Sequence, residues 1–259
     1  MLTLDGNSLT PATALAAAHA RTPLAFAPAA LEKMAASRAF VERILAEGRP
    51  VYGINTGFGA LSSVAIKAAD VDRLQVNLVR SHASGVGPPL PEVICRLALI
   101  LRLNTLARGR SGVRVEAANK VLEILNAGVT PAAPEGGSVG ASGDLAPLAH
   151  LSLPLIGEGE IYLDGMIRPA AELLREKKIA PITLKAKEGL AFINGTQVLS
   201  AWAILALDLA NKLYDAADCA GALSLEALFG SHKAFDARIH AERHHPGQLI
   251  HREREVEVE

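Results

Sequence analysis

A mainly α fold with a few short β-hairpins is predicted for this 259-residue chain by three features. Apolar residues recur at three- and four-residue spacing in segment after segment. Ala and Leu are abundant while aromatics make up only 4% of the residues, which favours helices packed through small side chains. Alternating, strand-like runs are short and few, and no fixed-period repeat or low-complexity tract interrupts the pattern. At about 150 residues per domain, the length suits one large domain or two small ones with a sizeable core.

The opening LTLDGNSLT predicts a hairpin around Asp5-Gly6, followed by a weak helix from Pro11 to His19 and a linker punctuated by Pro23 and Pro28. From Ala29, the positions Leu31, Met34, Val41, Ile44 and Leu45 make one helical face that Gly48 and Pro50 stop. The segment YGINTGFGALSS at 52 to 63 is too polar and Gly-rich for a core element and predicts a loop. Helices are then expected over 68–80, with Val71, Leu74 and Leu78 on one face, over Ile94 to Leu106, and over Val113 to Leu125. Gly85 to Pro91 breaks the chain between the first two, and Gly128 with Pro131 closes the third. PEGGSVGASGDLAPLAH at 134 to 150 predicts a Gly-rich turn that opens a helix near Asp144, with Pro147 in its first turn. Asp164-Gly165 between two apolar runs predicts a hairpin, and a long helix runs from about Gly195 to Phe229. From His244 charge alternates with Val as in a solvated tail, so 1–248 forms one N-terminal portion and 249–259 a charged tail.

With 26 basic and 27 acidic side chains the chain has no long-range attraction for nucleic acid or an anionic membrane. Its most apolar stretch, 201 to 210, is interrupted by Asp208 and soon meets Lys212, short of a membrane span. Met1 to Ala20 carries Asp5 and lacks the basic start and apolar centre of a signal peptide, so a cytoplasmic location is expected. Cys95 and Cys219 have no CxxC neighbour and read as structural thiols. His240, His244 and His245 run into Pro246 without an acidic ligand set, which predicts a solvated helix end and no metal site. No G-x-S-x-G elbow is present for a hydrolase triad.

Chemistry concentrates in Ala141-Ser142-Gly143. Glycine in third place leaves its nitrogen sterically free to attack the carbonyl carbon two residues earlier, and a tight bend at Gly140 and Gly143 would press those atoms together. Ring closure and loss of two waters would turn Ser142 into an exocyclic methylene, giving the electrophile 4-methylideneimidazol-5-one (MIO) with no external cofactor. As a bare tripeptide, the same three residues are more often a simple turn.

The context changes that balance. GGSVGASGDLAPLAHLSLPLIGEGE at 136 to 160 resembles the signature of the histidine and phenylalanine ammonia-lyase family. YGINTGFG at 52 to 59, NLVRSHASGVG at 77 to 87 and EGLAFINGTQ at 188 to 197 resemble three further motifs of that family, in its order and spacing. The resemblance assigns Ala141, Ser142 and Gly143 to the prosthetic group, Tyr52 to the base that removes the β-proton, Asn194 to contact with the group, and Asp144 to support of cyclisation. A tyrosine base needs a pKa nearer working pH than its usual value of about 10, and a helix N-terminus after Asp144 would stabilise negative charge on the ring. Ser81-His82 resembles the histidine-lyase type, where other members carry His-Leu or Phe-Leu, and an imidazole can hydrogen-bond a substrate imidazole. The implied reaction is non-oxidative deamination of L-histidine to urocanate and ammonia.

Each residue also has a plainer reading: His82 satisfied by helix backbone, Tyr52 in a core at a strand end, Asn55 and Thr56 capping a loop, Asn194 as a helix N-cap. Four motifs in order favour the functional reading for Tyr52, His82, Ser142 and Asn194, and leave Asn55 and Asp144 open between the two. The resemblance reaches about Gln248 yet matches only the N-terminal half of a full family member. The other half supplies a second tyrosine, a carboxylate-binding arginine and a glutamate, and the family's active site is assembled from several subunits of a tetramer. Activity is therefore expected to need a full-length chain or a C-terminal-half partner in a homo- or hetero-oligomer. A 2,3-aminomutase, disfavoured by Ser81-His82, and a non-catalytic assembly subunit or fragment are the alternatives.

Overall fold

The computed structural model describes residues 1–57, 64, 66–139, 142–242, 245 and 247. The fold is mainly α, and its contacts group into two units, 1–204 and 205–259. In the first unit the chain begins with β1 (Leu2–Leu4), then α1 (Pro11–His19), and returns as β2 (Leu24–Phe26). β1 and β2 pair in parallel, so the hairpin expected around Asp5-Gly6 is absent and the Pro23 to Pro28 linker contains a strand. The reason is local: Asp5 Oδ1 accepts from the Asn7 and Ser8 amides, and Gly6 N donates to Asn104 Oδ1 at 3.0 Å. These bonds close the turn, tie it to the helix that carries Asn104, and send the chain on into α1.

Pro28 is the first residue of α2 (Pro28–Glu47), and Gly48, at φ 66°, ends it in the left-handed conformation that glycine tolerates. α3 (Val71–His82) leads through Gly85 to β3 (Val86–Pro89), which pairs antiparallel with β5 (Pro134–Gly136), a pairing that local spacing did not suggest. Between them α4 (Glu92–Ala107) forms the centre of the core: Ile94, Leu97, Ala98, Ile100, Leu103 and Leu106 are fully buried. α5 (Val115–Asn126) packs beside it and is followed by β4 (Thr130–Pro131). The expected Asp164-Gly165 hairpin is formed by β6 (Glu160–Leu163) and β7 (Met166–Pro169), with β4 on the other side of β6.

Three helices position the functional motifs. α3, α6 (Leu145–Ser152) and α8 (Glu188–Ile193) pack against one another, while α7 (Ala170–Glu176) lies on the hairpin. Gly189 makes the α3–α8 contact close, because a Cβ there would stand 2.9 Å from the Gln75 carbonyl, and Gly189 N donates to Gln75 Oε1 at 3.0 Å. Glu188 is buried and ion-paired to Arg114, whose Nε lies 2.8 Å away, which fixes the start of α8.

α9 (Gln197–Ala227) continues from the first unit into the second. By length and mean hydropathy, 1.6 over an 18-residue window, the helical stretch 188–227 could cross a membrane, which qualifies the expectation that no run is long enough. Asp208 and Lys212 interrupt it less than their charges suggest, since they pair one turn apart at 2.8 Å. The second unit adds α10 (Ala237–Ala241), on which His240 is buried while Ile239 is exposed, so His240 does not sit at a solvated end. His244 and the 249–259 tail lie outside the described residues.

Cys95 is buried in α4 and Cys219 is exposed, so only the first fits a structural thiol. Burial pushes the Cys95 thiol up to about 12, which leaves it protonated throughout the neutral range. A maleimide at neutral pH is expected to label Cys219 in the folded chain and Cys95 only after denaturation; labelling of both before unfolding, seen by intact mass, would contradict this placement.

Candidate active site

The bend that carries Ser142 is tight. Gly143 has φ 77°, Asp144 N donates to the Ser142 carbonyl only two residues back at 3.0 Å, and Val139 N donates to the Gly143 carbonyl at 2.8 Å. Ala141 and Gly140 lie outside the described residues. The space beside Gly143 is open, since a Cβ there would meet nothing nearer than Ser138 Oγ at 3.8 Å. The Ser142-Gly143 backbone is thus tightly bent, with free room beside Gly143.

Asp144 is the organiser. Its side chain is fully buried, Oδ1 accepts from Ser138 Oγ at 2.7 Å, and Oδ2 accepts from Leu199 N in the first turn of α9 at 2.9 Å. Its own amide also reaches the Gly195 carbonyl at 3.2 Å. One residue thus ties the Ser142-Gly143 bend to the Asn194-Gly195 turn, and it stands at the N-terminal flank of α6. Asn194 is exposed at the end of α8, where its amide donates to the Leu190 carbonyl; it does not sit at the N-cap of the following helix.

Leu190 also receives the Tyr52 turn. Gly53, at φ 78°, lies so close to α8 that a Cβ would stand 3.1 Å from Leu190 Cδ2. Tyr52 next to it is 59% exposed, which rules out the reading of a core tyrosine. Asn55 holds this turn from behind: Oδ1 accepts from Val51 N at 2.8 Å and Nδ2 donates to the Arg49 carbonyl at 2.9 Å. Thr56 is buried and donates to the Gly57 carbonyl. Both have the loop-capping role of the plainer reading. Residues 58–63 of the same loop segment lie outside the described residues.

His82 and Ser81 end α3 and line a cavity of about 550 Å³ with Gly137, Val139 and Ala146, residues that flank the Ser142-Gly143 bend in sequence. His82 Nδ1 lies 2.8 Å from the Leu78 carbonyl and Ser81 Oγ donates to the same carbonyl. A carbonyl can only accept, so Nδ1 carries the proton of the neutral ring and Nε2 is its acceptor. The backbone-satisfied and pocket-facing readings of His82 are therefore compatible.

His150 is a further residue of the site, outside the candidates that the motifs mark. From α6 its Nε2 accepts the Gly85 amide at 3.0 Å and so anchors the turn that follows His82. With 65 residues between the partners no local spacing signals it. A second cavity, of about 440 Å³, lies behind the Tyr52 turn, but its cations are already neutralised: Arg38 by Glu42, Arg114 by Glu188 and Lys185 by Asp72. Among the described residues no group of three or more His, Cys, Asp or Glu is placed to hold a metal ion.

The family model for aromatic amino acid lyases matches residues 9–254. This chain belongs to that family. Histidine ammonia-lyases of Geobacillus thermodenitrificans and Myxococcus xanthus are 48% and 49% identical to it, over 94% and 95% of this chain and 48% of each relative. A crystal structure of histidine ammonia-lyase from Trypanosoma cruzi superposes with a TM-score of 0.91 at 41% identity, covering 98% of this chain and 50% of that one. Tyrosine aminomutase from Streptomyces globisporus superposes equally well, at TM-score 0.91 and 36% identity, over 98% of this chain and 48% of its own. The chain spans about half the length of the curated relatives it matches.

Two measurements check this geometry. Asp144→Ala leaves the Ser138 hydroxyl and the Leu199 amide without their acceptor and is expected to cost about 2–4 kcal/mol in urea unfolding, against about 1–2 for Ser138→Ala. Equal costs would mean that Asp144 does not join the two segments. Burial holds His150 below its usual 6.5, so the folded state prefers the neutral ring. Stability from this ring is complete above 6.5 and declines as pH falls below it, because the unfolded chain then binds the extra proton. His150→Gln should therefore show a shallower loss of urea midpoint between neutral and mildly acidic pH than the parent chain; parallel curves would refute the assignment.

Proposed function

We propose that this chain is the prosthetic-group-bearing half of a histidine-type ammonia-lyase, a carbon–nitrogen lyase that converts L-histidine to urocanate and ammonia. The observation that carries the reading is the Asp144 junction, which brings the Ser142-Gly143 bend and the Asn194-Gly195 turn together from opposite ends of 50 residues of chain. The histidine ammonia-lyase relatives support the substrate class.

Ala141, Ser142 and Gly143 would form the MIO group from the chain itself, with no external cofactor: the Gly143 nitrogen bonds the Ala141 carbonyl carbon, that carbonyl oxygen leaves as water, and the Ser142 hydroxyl leaves with its α-hydrogen as the second water. The group supplies the electrophile that an amine elimination needs. Around it, Asp144 holds the bend in its compressed form and Asn194 presents a carboxamide from the end of α8. Tyr52 takes the β-proton on its side-chain oxygen, held in place by the Gly53–Leu190 contact. His82 accepts a hydrogen bond from the substrate imidazole N–H on Nε2, which selects histidine over a purely apolar ring.

The one arginine in the four motifs, Arg80, is already paired with Glu158 and none other is offered for the substrate carboxylate, so this chain by itself is expected to turn over little or no histidine. Leu207, Leu209, Leu213 and Leu223 of α9 are exposed, which suits a helix covered by another chain, either a second copy or the C-terminal half of the enzyme. A cytoplasmic location is part of the same proposal, as is the absence of nucleic-acid and membrane partners. The fold is shared with aminomutases, so it does not distinguish a lyase from a mutase; Ser81-His82 favours the lyase.

Intact mass tests the group: the chain should lack two waters relative to its sequence, and Ser142→Ala should restore them. Co-expression with a C-terminal-half chain should then give urocanate absorbance from histidine, with no β-amino acid product. A formed complex with full sequence mass and no turnover would favour an assembly role.

A further inference from the structure

We propose that Arg102 is a positioning residue for Asn194, holding the turn that presents its carboxamide. This rests on the role proposed above for Asn194. Arg102 projects from α4, outside the four family motifs, and is buried at 6% exposure. Its Nη2 donates to the Ala191 carbonyl near the end of α8, and its Nη1 donates at 3.2 Å to Gln197 Oε1 at the start of α9. A single planar guanidinium therefore spans the two ends of the Asn194-Gly195-Thr196 turn, a reach that its fork geometry allows and a lysine ammonium does not.

The middle of the turn lies directly on it. A Cβ at Gly195 would run into Gln197 Oε1 and stand 2.7 Å from Arg102 Nη1, so glycine permits the approach that the clamp needs. The same glycine's carbonyl accepts the Asp144 amide at 3.2 Å. The turn is thus held by a buried guanidinium on its flanking residues and by the backbone amide of the buried Asp144.

Arg102 is held there at an energetic cost, which Arg96 of the same helix shares. The Arg102 Nε is buried without a hydrogen-bond partner, and among the described residues its acceptors are a carbonyl and a carboxamide with no carboxylate. Burial pulls the guanidinium down to about 10, so it stays charged at neutral pH. A buried charge without a counter-ion is costly, and an apolar side chain of similar volume would fill the same space at lower cost. What methionine cannot supply is two diverging donors at the ends of one turn.

Native-state amide exchange on the whole chain tests the clamp without relying on activity. In Arg102→Met, protection of the amides from 194 to 199 should fall roughly tenfold while the α1 and α5 amides keep theirs, and Arg102→Lys should recover part of it. Gln197→Ala removes one acceptor and leaves the charge in place, and it should loosen the same amides less. It carries the comparison if Arg102→Met does not fold. The rate of two-water loss gives an independent readout: Asn194→Ala should slow it, and adding Arg102→Met should slow it no further. Unchanged protection at 194–199, an even loss across the unit, or effects that multiply with Asn194→Ala would overturn the proposal. If the parent chain never loses two waters, the prosthetic-group reading fails, while the exchange data still decide the clamp.

Discussion

The buried carboxylate of Asp144 is the constraint from which the rest of the site follows. A carboxylate taken out of water must have its oxygens bonded, and here both bonds come from elsewhere in the chain: a hydroxyl six residues back and an amide 55 residues on. Satisfying one oxygen closes the loop before α6; satisfying the other brings in the start of α9. The tight bend at Gly143 and the Asn194 turn are consequently parts of one hydrogen-bonded object, and moving either leaves a buried polar group without its partner.

That object needs a rigid mount, and close helix packing supplies it. Gly189 allows α3 onto α8, Gly53 allows the Tyr52 turn onto Leu190, and His150 ties the turn after His82 back to α6. Each approach uses a small residue or a buried hydrogen bond where a larger side chain would hold the elements apart. The low aromatic content has its physical counterpart here: motifs far apart in the chain meet because the helices between them can come close.

Much of this was legible in the sequence. Helical spacing placed α2, α3, α4, α5 and α9 to within a few residues, and Asp164-Gly165 gave the hairpin, because these elements are specified by local periodicity and turn chemistry. The Asp5-Gly6 hairpin failed for the converse reason: Asp-Gly specifies a turn, but Asn104 decides what that turn packs against. The short α8 and the pairing of β3 with β5 carried too few residues to show a period. His240 and Cys219 were misplaced because burial is a property of the assembled chain.

The sequence by itself determined the helical class, the four motifs and the residues able to carry the chemistry, since all of these are written in local residue types and spacings. Only the tertiary structure decided how those residues are held. Asp144 bonding across to Leu199, Arg102 spanning Ala191 and Gln197, and His150 receiving Gly85 join partners tens of residues apart. No local pattern encodes such pairs. They arise because buried polar groups must find partners, and the partners are whatever the packed helices bring within reach.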